Sequence, residues 1–303
     1  AGTGTQPAGA AQAGPGALTA TATPTLLPHE SGRLVYASDL DGDFDIYIRD
    51  MASGRVTMLT DNDDADRAPM LSPDGARIVY VSDRAGDDDL YVMDADGSGM
   101  VQLTTSPAHD RAPAWSPDGD RVVFARESAG GSDLLAFDVA CMGAPGACED
   151  ELETVTSGAY DREPSWEPGG ARLAASTASF PGLPSAIGLV TLHGGDLTPL
   201  EGTGSADFAP AWSPDGEWLA FVSNRAGDYD LWAMRPDGAG LIQLTQDTAA
   251  DIAPRWSPDG SLLIFASDRG PGGDFDLYMM DAACLPAGAE RCEAALTPLV
   301  DSP

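Results

Sequence analysis

Aspartates at every second position in short glycine-containing segments are the groups in this sequence best placed for metal chemistry. Asp39–Asp45 carries four of them around Gly42. Carboxylates spaced in this way can converge on one hard cation, and Ca²⁺ takes six to eight such oxygen ligands. We predict that Ca²⁺ is bound by members of the following set: Asp39, Asp41, Asp43, Asp45, Asp61, Asp63, Asp64, Asp83, Asp87, Asp89, Asp228, Asp230, Asp274 and Asp276. The alternative is that these residues form Asx turns, held without metal by arginines of the same repeat such as Arg84, Arg225 and Arg269.

These segments recur because the chain is built from repeats. The sequence Ala-Pro-x-Trp-Ser-Pro-Asp-Gly stands at 112–119, 209–216 and 253–260, with variants at 68–75 and 163–170. Proline presets φ and glycine accepts a positive φ, so each copy predicts a turn between two strands. Copies recur every 44 to 51 residues, near the period of a propeller blade, and each unit contains four strand-like segments. With a sixth unit before residue 60, we predict an all-β fold: a six-bladed β-propeller of four-stranded antiparallel blades over residues 23–303.

One position of the repeat carries tryptophan, and another carries aspartate. We expect the tryptophans to pack between adjacent blades; they are Trp115, Trp166, Trp212 and Trp256. The aspartates precede the proline of the innermost strand by three residues, so we expect them to ring the mouth of the axial channel. They are Asp66, Asp110, Asp161, Asp207 and Asp251. Such a ring would hold a cation or a basic peptide, unless each aspartate simply caps its own connection between blades.

The charge of the chain excludes several classes of partner. Acidic residues number 48 against 16 basic ones, for a formal net charge of −32. Such a surface repels nucleic acid and anionic lipid, and no run approaches the roughly 18 apolar residues of a membrane span. We therefore expect no nucleic-acid partner and no membrane insertion, and a cation, a protein or a second copy of the chain as partner. A solvated acidic coat that keeps the protein soluble is the alternative.

The cysteines predict an oxidising compartment. They form two local pairs, Cys141 with Cys148 and Cys284 with Cys292, and both pairs follow equivalent segments of two repeats. Pairing within each segment is the simplest of the three possible connectivities. Two disulfides indicate a secreted, extracellular or cell-surface protein, with the periplasm as the alternative. Residues 1–22 are rich in Ala, Gly, Thr and Pro, and we expect an extended tail there.

The repeat resembles that of TolB-type propellers. The resemblance rests on the Ala-Pro-x-Trp-Ser-Pro-Asp-Gly turn and on the segments Ser82–Tyr91 and Ser223–Trp232, and it covers about residues 24–299. It implies a WD40-like propeller, here without the N-terminal domain of TolB. In that family the repeat belongs to a periplasmic protein that binds Pal. The same repeat is similar to those in the propellers of prolyl-oligopeptidase-like peptidases and of oligogalacturonate lyases.

Three functional hypotheses remain. We expect no enzyme, because His29, His109 and His193 do not group in the sequence and no Gly-x-Ser-x-Gly motif occurs. The main hypothesis is a secreted calcium-binding propeller that mediates protein interactions or assembles with itself into an extracellular polymer. The alternative is a periplasmic TolB-like receptor that holds a partner peptide at the axial channel. A polysaccharide-active enzyme is the third.

Overall fold

Twenty-four strands form six four-stranded antiparallel sheets among the residues that the structure describes. The computed structural model describes residues 25–26, 32–40, 42–157, 160–179, 183, 185–204, 206–270, 272–287 and 296–300. Within every sheet the strands follow one another in chain order. The predicted six-bladed propeller is confirmed. The predicted tail, residues 1–22, lies outside the described residues.

Each blade runs from an inner first strand to a short outer fourth strand. The bounds, blade by blade, are β1 (Thr25–Leu26), β2 (Arg33–Ser38), β3 (Asp45–Asp50), β4 (Val56–Met58); β5 (Asp66–Leu71), β6 (Arg77–Ser82), β7 (Asp89–Asp94), β8 (Val101–Gln102); β9 (His109–Trp115), β10 (Arg121–Ser128), β11 (Gly131–Asp138), β12 (Glu153–Thr154); β13 (Arg162–Trp166), β14 (Arg172–Thr177), β15 (Ala186–Thr191), β16 (Thr198–Pro199); β17 (Asp207–Trp212), β18 (Leu219–Ser223), β19 (Asp230–Met234), β20 (Ile242–Gln243); β21 (Asp251–Trp256), β22 (Leu262–Ser267), β23 (Asp276–Asp281) and β24 (Thr297–Val300). Short 3₁₀ helices follow β11 and β23, at Val139–Gly143, Glu149–Glu151 and Ala282–Ala287. None of the helices described here is long and apolar enough to cross a membrane.

The ring closes by packing and not by exchange of strands. The first strands contact one another in turn around the axis, and β1 contacts both β5 and β21. Blade 6 takes its fourth strand, β24, from the C-terminal part of the chain, while blade 1 keeps its own first strand. Leu34 and Tyr36 of blade 1 share a buried cluster with Phe265 of blade 6. Apolar burial therefore holds the two ends of the ring together.

The repeated tryptophans pack between blades, as the sequence predicts. The indole N–H of Trp115 donates to the Met70 carbonyl of the preceding blade at 3.0 Å, and Trp166 and Trp256 make the corresponding bond. All of them are buried. A buried indole needs a partner for its N–H, so these bonds tie neighbouring blades together at their inner strands.

The Ser-Pro-Asp-Gly turns use their own polar groups internally. Ser72 Oγ donates to Asp74 Oδ1 at 2.6 Å and accepts from the Arg77 amide at 3.0 Å. The same Ser–Asp pair recurs at Ser116, Ser213 and Ser257. The hydrogen bond from Ser72 lowers the pKa of Asp74, and Asp118 shows the same effect. These aspartates have a structural role.

The first predicted disulfide is formed, between Cys141 and Cys148. Cys284 is also disulfide-bonded, and Cys292 lies outside the described residues. The first disulfide loop packs against the outer edge of blade 2, where the Gly146 amide donates to the Gln102 carbonyl of β8 at 2.9 Å. Cys141 and Cys148 are buried in the cluster between blades 2 and 3.

Candidate functional site at the mouth of the ring

The six blades present two different faces. One face, here called the crossover face, carries the loops between second and third strands and the connections from each blade to the next. The opposite face carries the Ser-Pro-Asp-Gly turns and is called the turn face. First strands begin at the crossover face, so their first residues surround the mouth of the ring there.

A repeated backbone hydrogen bond builds this mouth. The Asp66 amide donates to the Phe44 carbonyl of blade 1 at 2.6 Å, and the Asp110 amide donates to the Asp88 carbonyl of blade 2 at 2.7 Å. The same bond joins Asp161 to Ser132, Asp207 to Ser185 and Asp251 to Tyr229. It places the start of each third strand beside the first strand of the next blade. Side chains at both positions are therefore positioned by rigid elements.

The ring aspartates lie at this mouth, but their side chains are buried and already partnered. They are at most 1 % exposed. Asp66 accepts two hydrogen bonds at 2.9 Å from the Arg84 guanidinium, and Asp207 accepts one at 2.7 Å from Arg225. Asp251 pairs with Arg269 in the same way, and Asp110 pairs with Arg126. This geometry favours the interpretation of internal caps over an open cation site, because each of these charges is compensated within its own blade.

Blade 3 adds a group that the sequence did not indicate. The Arg126 guanidinium contacts both Asp110, at 2.7 Å, and Glu149, at 2.7 Å. Glu149 follows Cys148 directly, so the disulfide loop delivers this carboxylate to the ion pair. No spacing in the sequence signals the contact, because it depends on the path of that loop over blade 2.

A second layer of aspartates begins the third strands. Asp89 and Asp230 are buried, and each accepts hydrogen bonds from a glutamine amide and a threonine hydroxyl of its own blade. Burial, together with the nearby Asp110 carboxylate, raises the pKa of Asp89 to about 6. Burial likewise raises the pKa of Asp230 to about 6. Asp45 occupies the same position in blade 1 and accepts from Thr60 Oγ at 2.8 Å.

The remaining predicted calcium ligands are dispersed over the crossover face. Asp83 accepts from the Ala65 amide at 2.8 Å, which is a loop-stabilising contact. The exposed members are Asp39, Asp61, Asp63, Asp228 and Asp274, and the partly buried ones are Asp43, Asp64, Asp83, Asp87 and Asp276. Asp41 lies outside the described residues. Among the residues described, no three His, Cys, Asp or Glu side chains are grouped closely enough to hold a metal ion. Calcium binding stays a prediction.

The side chains that the mouth does present are those directly after the ring aspartates, which sequence reasoning missed. In blades 2 to 5 they are Arg67, Arg111, Arg162 and Phe208, whereas Ile252 of blade 6 is buried. Because successive residues of a strand point to opposite sides, the side chain after each aspartate points away from the side on which that aspartate is buried. Arg111 Nε donates to Asp88 Oδ2 at 2.6 Å, and the Arg67 guanidinium lies 5.2 Å from the centre of the Phe44 ring. The Phe208 ring meets the Tyr229 ring edge-on at 5.5 Å.

Comparison with known proteins identifies the repeat. The family model for the TolB beta propeller domain matches residues 17–180 and 176–288. The Tol-Pal system protein TolB of Syntrophus aciditrophicus is 44 % identical over 50 residues, which are 16 % of this chain and 11 % of that protein. The match thus spans about a tenth of the length of that relative.

Solved structures share the architecture. A structure of putative TolB from Agrobacterium tumefaciens has a TM-score of 0.66 at 22 % identity, covering 85 % of this chain and 88 % of that one. An oligogalacturonate lyase in complex with manganese has a TM-score of 0.61 at 18 % identity, covering 87 % and 76 %. At these identities the likeness shows the fold alone.

Proposed function

Because this chain belongs to the TolB β-propeller domain family, we propose that it is a protein-binding domain without enzymatic activity. It holds a segment of a partner protein at the mouth on the crossover face and works outside the cytoplasm, in the periplasm. The Cys141–Cys148 disulfide supports an oxidising compartment. The family membership favours this partner-binding reading over the self-assembling calcium scaffold.

The observation that carries the proposal is the difference in exposure between two sets of side chains at the mouth. The ring aspartates are buried and bonded to arginine or threonine side chains, whereas Arg67, Arg111, Arg162 and Phe208, which follow four of them, are exposed or partly exposed and are held in place by the repeated bond between blades. Binding sites need side chains whose positions are set by a rigid support. The mouth offers such side chains from four consecutive blades within one surface.

Cross-linking from within the mouth tests the proposal. Benzoylphenylalanine replaces Phe208 at the mouth or, as the control, Ala76 in an exposed turn on the opposite face. The protein is irradiated in an envelope extract of the source organism, and the products are identified by mass spectrometry. We expect one partner protein to be cross-linked from position 208 and not from position 76. Equal products from both positions, or none from position 208, would overturn the proposal.

A further inference from the structure

The charges around the mouth are distributed unevenly. Blades 2 to 4 place arginines directly after their ring aspartates, here called the arginine arc: Arg67, Arg111 and Arg162. Blade 5 places partly buried aromatic groups at the mouth, here called the apolar arc: Phe208 and Tyr229. Resting on the proposed function, we infer that this mouth selects a partner segment in which carboxylates flank an aromatic side chain.

The arginine arc is a continuous chain of ion pairs across three blades. Arg67 lies 3.9 Å from Asp88, which in turn pairs with Arg111. Arg111 Nη1 then lies 2.9 Å from Glu127, and Arg162 Nε lies 2.9 Å from the other oxygen of the same carboxylate. Three guanidinium groups share two carboxylates, so the chain carries one uncompensated positive charge within a strongly negative protein.

Exposure decides which of these charges a ligand meets. The arginine side chains are 40 %, 41 % and 47 % exposed, whereas Asp88 and Glu127 are 8 % and 19 % exposed. The carboxylates thus lie beneath the guanidinium groups. A guanidinium fork matches a carboxylate in two parallel hydrogen bonds, and such bonds are stronger than neutral ones.

Arg67 is the least compensated member of the arc. Its carboxylate contact, at 3.9 Å, is the longest in this series of ion pairs, and its Nε is buried with no hydrogen-bond partner among the residues that the structure describes. Its guanidinium also lies over the Phe44 ring, which holds the group flat while leaving hydrogen-bond donors free. An incoming carboxylate would therefore find its best partner here.

The apolar arc supplies the second part of the recognition. Phe208 and Tyr229 are partly buried and pack on a core cluster that contains Ile252. They form an aromatic surface across the mouth from Arg67 and beside Arg162, because blade 5 lies opposite blade 2 and next to blade 4 in a six-membered ring. An aromatic residue of the partner can pack there while its neighbouring carboxylates face the arc.

The outer loops of the same face sharpen the selection. Exposed aspartates such as Asp39, Asp61 and Asp228 stand at the rim and repel an acidic ligand. At about 0.15 M salt the screening length is roughly 8 Å, so rim repulsion is weak while direct contacts at the mouth persist. An acidic segment is then held by its direct contacts at the mouth, and the exposed aspartates of the rim give it none.

Synthetic peptides test the inference. The probe is a fluorescein-labelled peptide, Gly-Ser-Gly-Glu-Phe-Glu-Gly-Ser-Gly, measured by fluorescence anisotropy in 0.15 M NaCl. Control peptides carry Gln-Phe-Gln or Lys-Phe-Lys at the centre. We expect the Glu-Phe-Glu peptide to bind at least tenfold more tightly than either control. Equal or tighter binding of the Gln-Phe-Gln or Lys-Phe-Lys peptide would overturn the inference.

Matched variants locate the binding. The double variant Arg67→Gln, Arg162→Gln keeps Arg111 against both buried carboxylates, so the fold should persist, as circular dichroism and thermal melting would verify. We expect at least a tenfold loss of Glu-Phe-Glu affinity in this variant. Arg55→Gln is the control, since Arg55 is exposed at the β3–β4 connection on the turn face; its affinity should be unchanged. A folded double variant with unchanged affinity would refute the role of the arc.

Two further experiments distinguish failure of the peptide inference from failure of the proposed function: competition by an acidic sugar, and the cross-link in the double variant. Trigalacturonate that displaces the peptide at equal concentration would make an acidic sugar the occupant and overturn the peptide assignment. An undiminished cross-link from position 208 to the same partner in the Arg67→Gln, Arg162→Gln background would overturn the arginine inference and leave the proposed function standing. If the protein with an unaltered arginine arc gives no cross-link from position 208, the proposed function itself is overturned.

Discussion

Blades 4 and 5 are neighbours built on one repeat, yet they hold the same buried aspartate by different means. In blade 5 the Arg225 guanidinium lies 2.7 Å from Asp207 and stacks over the Trp232 ring at 4.9 Å. In blade 4 the corresponding arginine position is Ser179, and Asp161 instead accepts from Thr177 Oγ at 2.6 Å. Burial raises the pKa of Asp161, and no arginine opposes this rise.

The inner strands of these blades differ in a second way. The residue before the proline has a positive φ in each of β5, β9, β13, β17 and β21, where the pairing with the second strand shifts register. It is alanine in blade 5, at Ala209, but Glu163 in blade 4. The Glu163 carboxylate accepts from Ser176 Oγ at 2.9 Å and from the Ala209 amide at 2.8 Å. Blade 4 thus replaces an ion pair within the blade by a hydrogen bond to its neighbour.

This difference between blades 4 and 5 shows that the ring aspartate is an architectural cap. It stays at the same place whether a guanidinium or a hydroxyl satisfies it. The chemistry open to a ligand therefore belongs to the residues beside it, which vary from blade to blade.

Replacing the two ring aspartates should give the largest change in the free energy of unfolding, and a different change in each blade. Asp207→Ala leaves Arg225 without a carboxylate partner at a site where it is 14 % exposed, and should lower the free energy of unfolding by about 3–5 kcal/mol. Asp161→Ala removes hydrogen bonds to hydroxyl groups and should cost about 1–2 kcal/mol. Urea unfolding of both variants measures the gap. Equal losses would show that the arginine adds nothing to the cap.

The titration of blade 5 gives the next largest effect. The pKa of Asp230 is raised to about 6 in the folded protein, so the folded state binds its proton more tightly than the unfolded chain. Stability should therefore be lost as pH rises from about 4 through 6. Asp230→Asn should be more stable than the unaltered protein by up to about 3 kcal/mol at pH 7.5, at about 1.4 kcal/mol for each pKa unit.

The same variant has an internal control. The difference between Asp230→Asn and the unaltered protein should shrink toward zero at pH 4, where both carry a neutral side chain at this position. Asp228→Asn, at an exposed neighbouring position, should show no such dependence. Thermal melting from pH 4 to pH 7.5 decides this, and a pH-independent difference would contradict the assignment to Asp230.

The bond from blade 4 to blade 5 should have an intermediate effect. Glu163→Ala keeps a side chain that the positive φ tolerates but removes both hydrogen bonds to the carboxylate. We expect a loss of about 2 kcal/mol in urea unfolding, because hydrogen bonds to charged groups contribute about 1.5–3 kcal/mol. Glu167→Ala, which removes a surface pair with Arg172, is the control and should cost less than about 1 kcal/mol. Equal effects would place Glu163 among ordinary surface residues.

Converting blade 4 into the pattern of blade 5 should have the smallest effect. Ser179→Arg puts a guanidinium two residues after Thr177, as Arg225 follows Ser223. It should lower the pKa of Asp161 and raise the free energy of unfolding by about 1 kcal/mol at pH 7, since it adds a partly buried ion pair to a site that already folds. NMR titration of the Asp161 carboxyl checks the direction. An unchanged pKa would mean that the arginine does not reach the aspartate.

Much of the fold could be predicted from the repeat, whereas the site could be predicted only in part. The Pro-Asp-Gly turns delimit the strands of blades 2 to 6, and the equivalent tryptophans predict the packing between blades. The sequence also brings Asp66 and its counterparts to one mouth. It did not indicate that their side chains are buried, because a first strand is covered on both sides by neighbouring blades and its polarity pattern does not tell which side is which.

The amino-acid sequence by itself determined the number of blades, the two faces and the family, since these depend on local turn chemistry repeated at a fixed period. The exposure of Arg67, Arg111 and Arg162 at the mouth, and the burial of the aspartates beside them, depend on the tertiary structure. It also decided that Glu149 reaches Arg126 from a disulfide loop. These contacts join residues of different blades or distant loops, and their partners are set by packing around the whole ring, which no local pattern records.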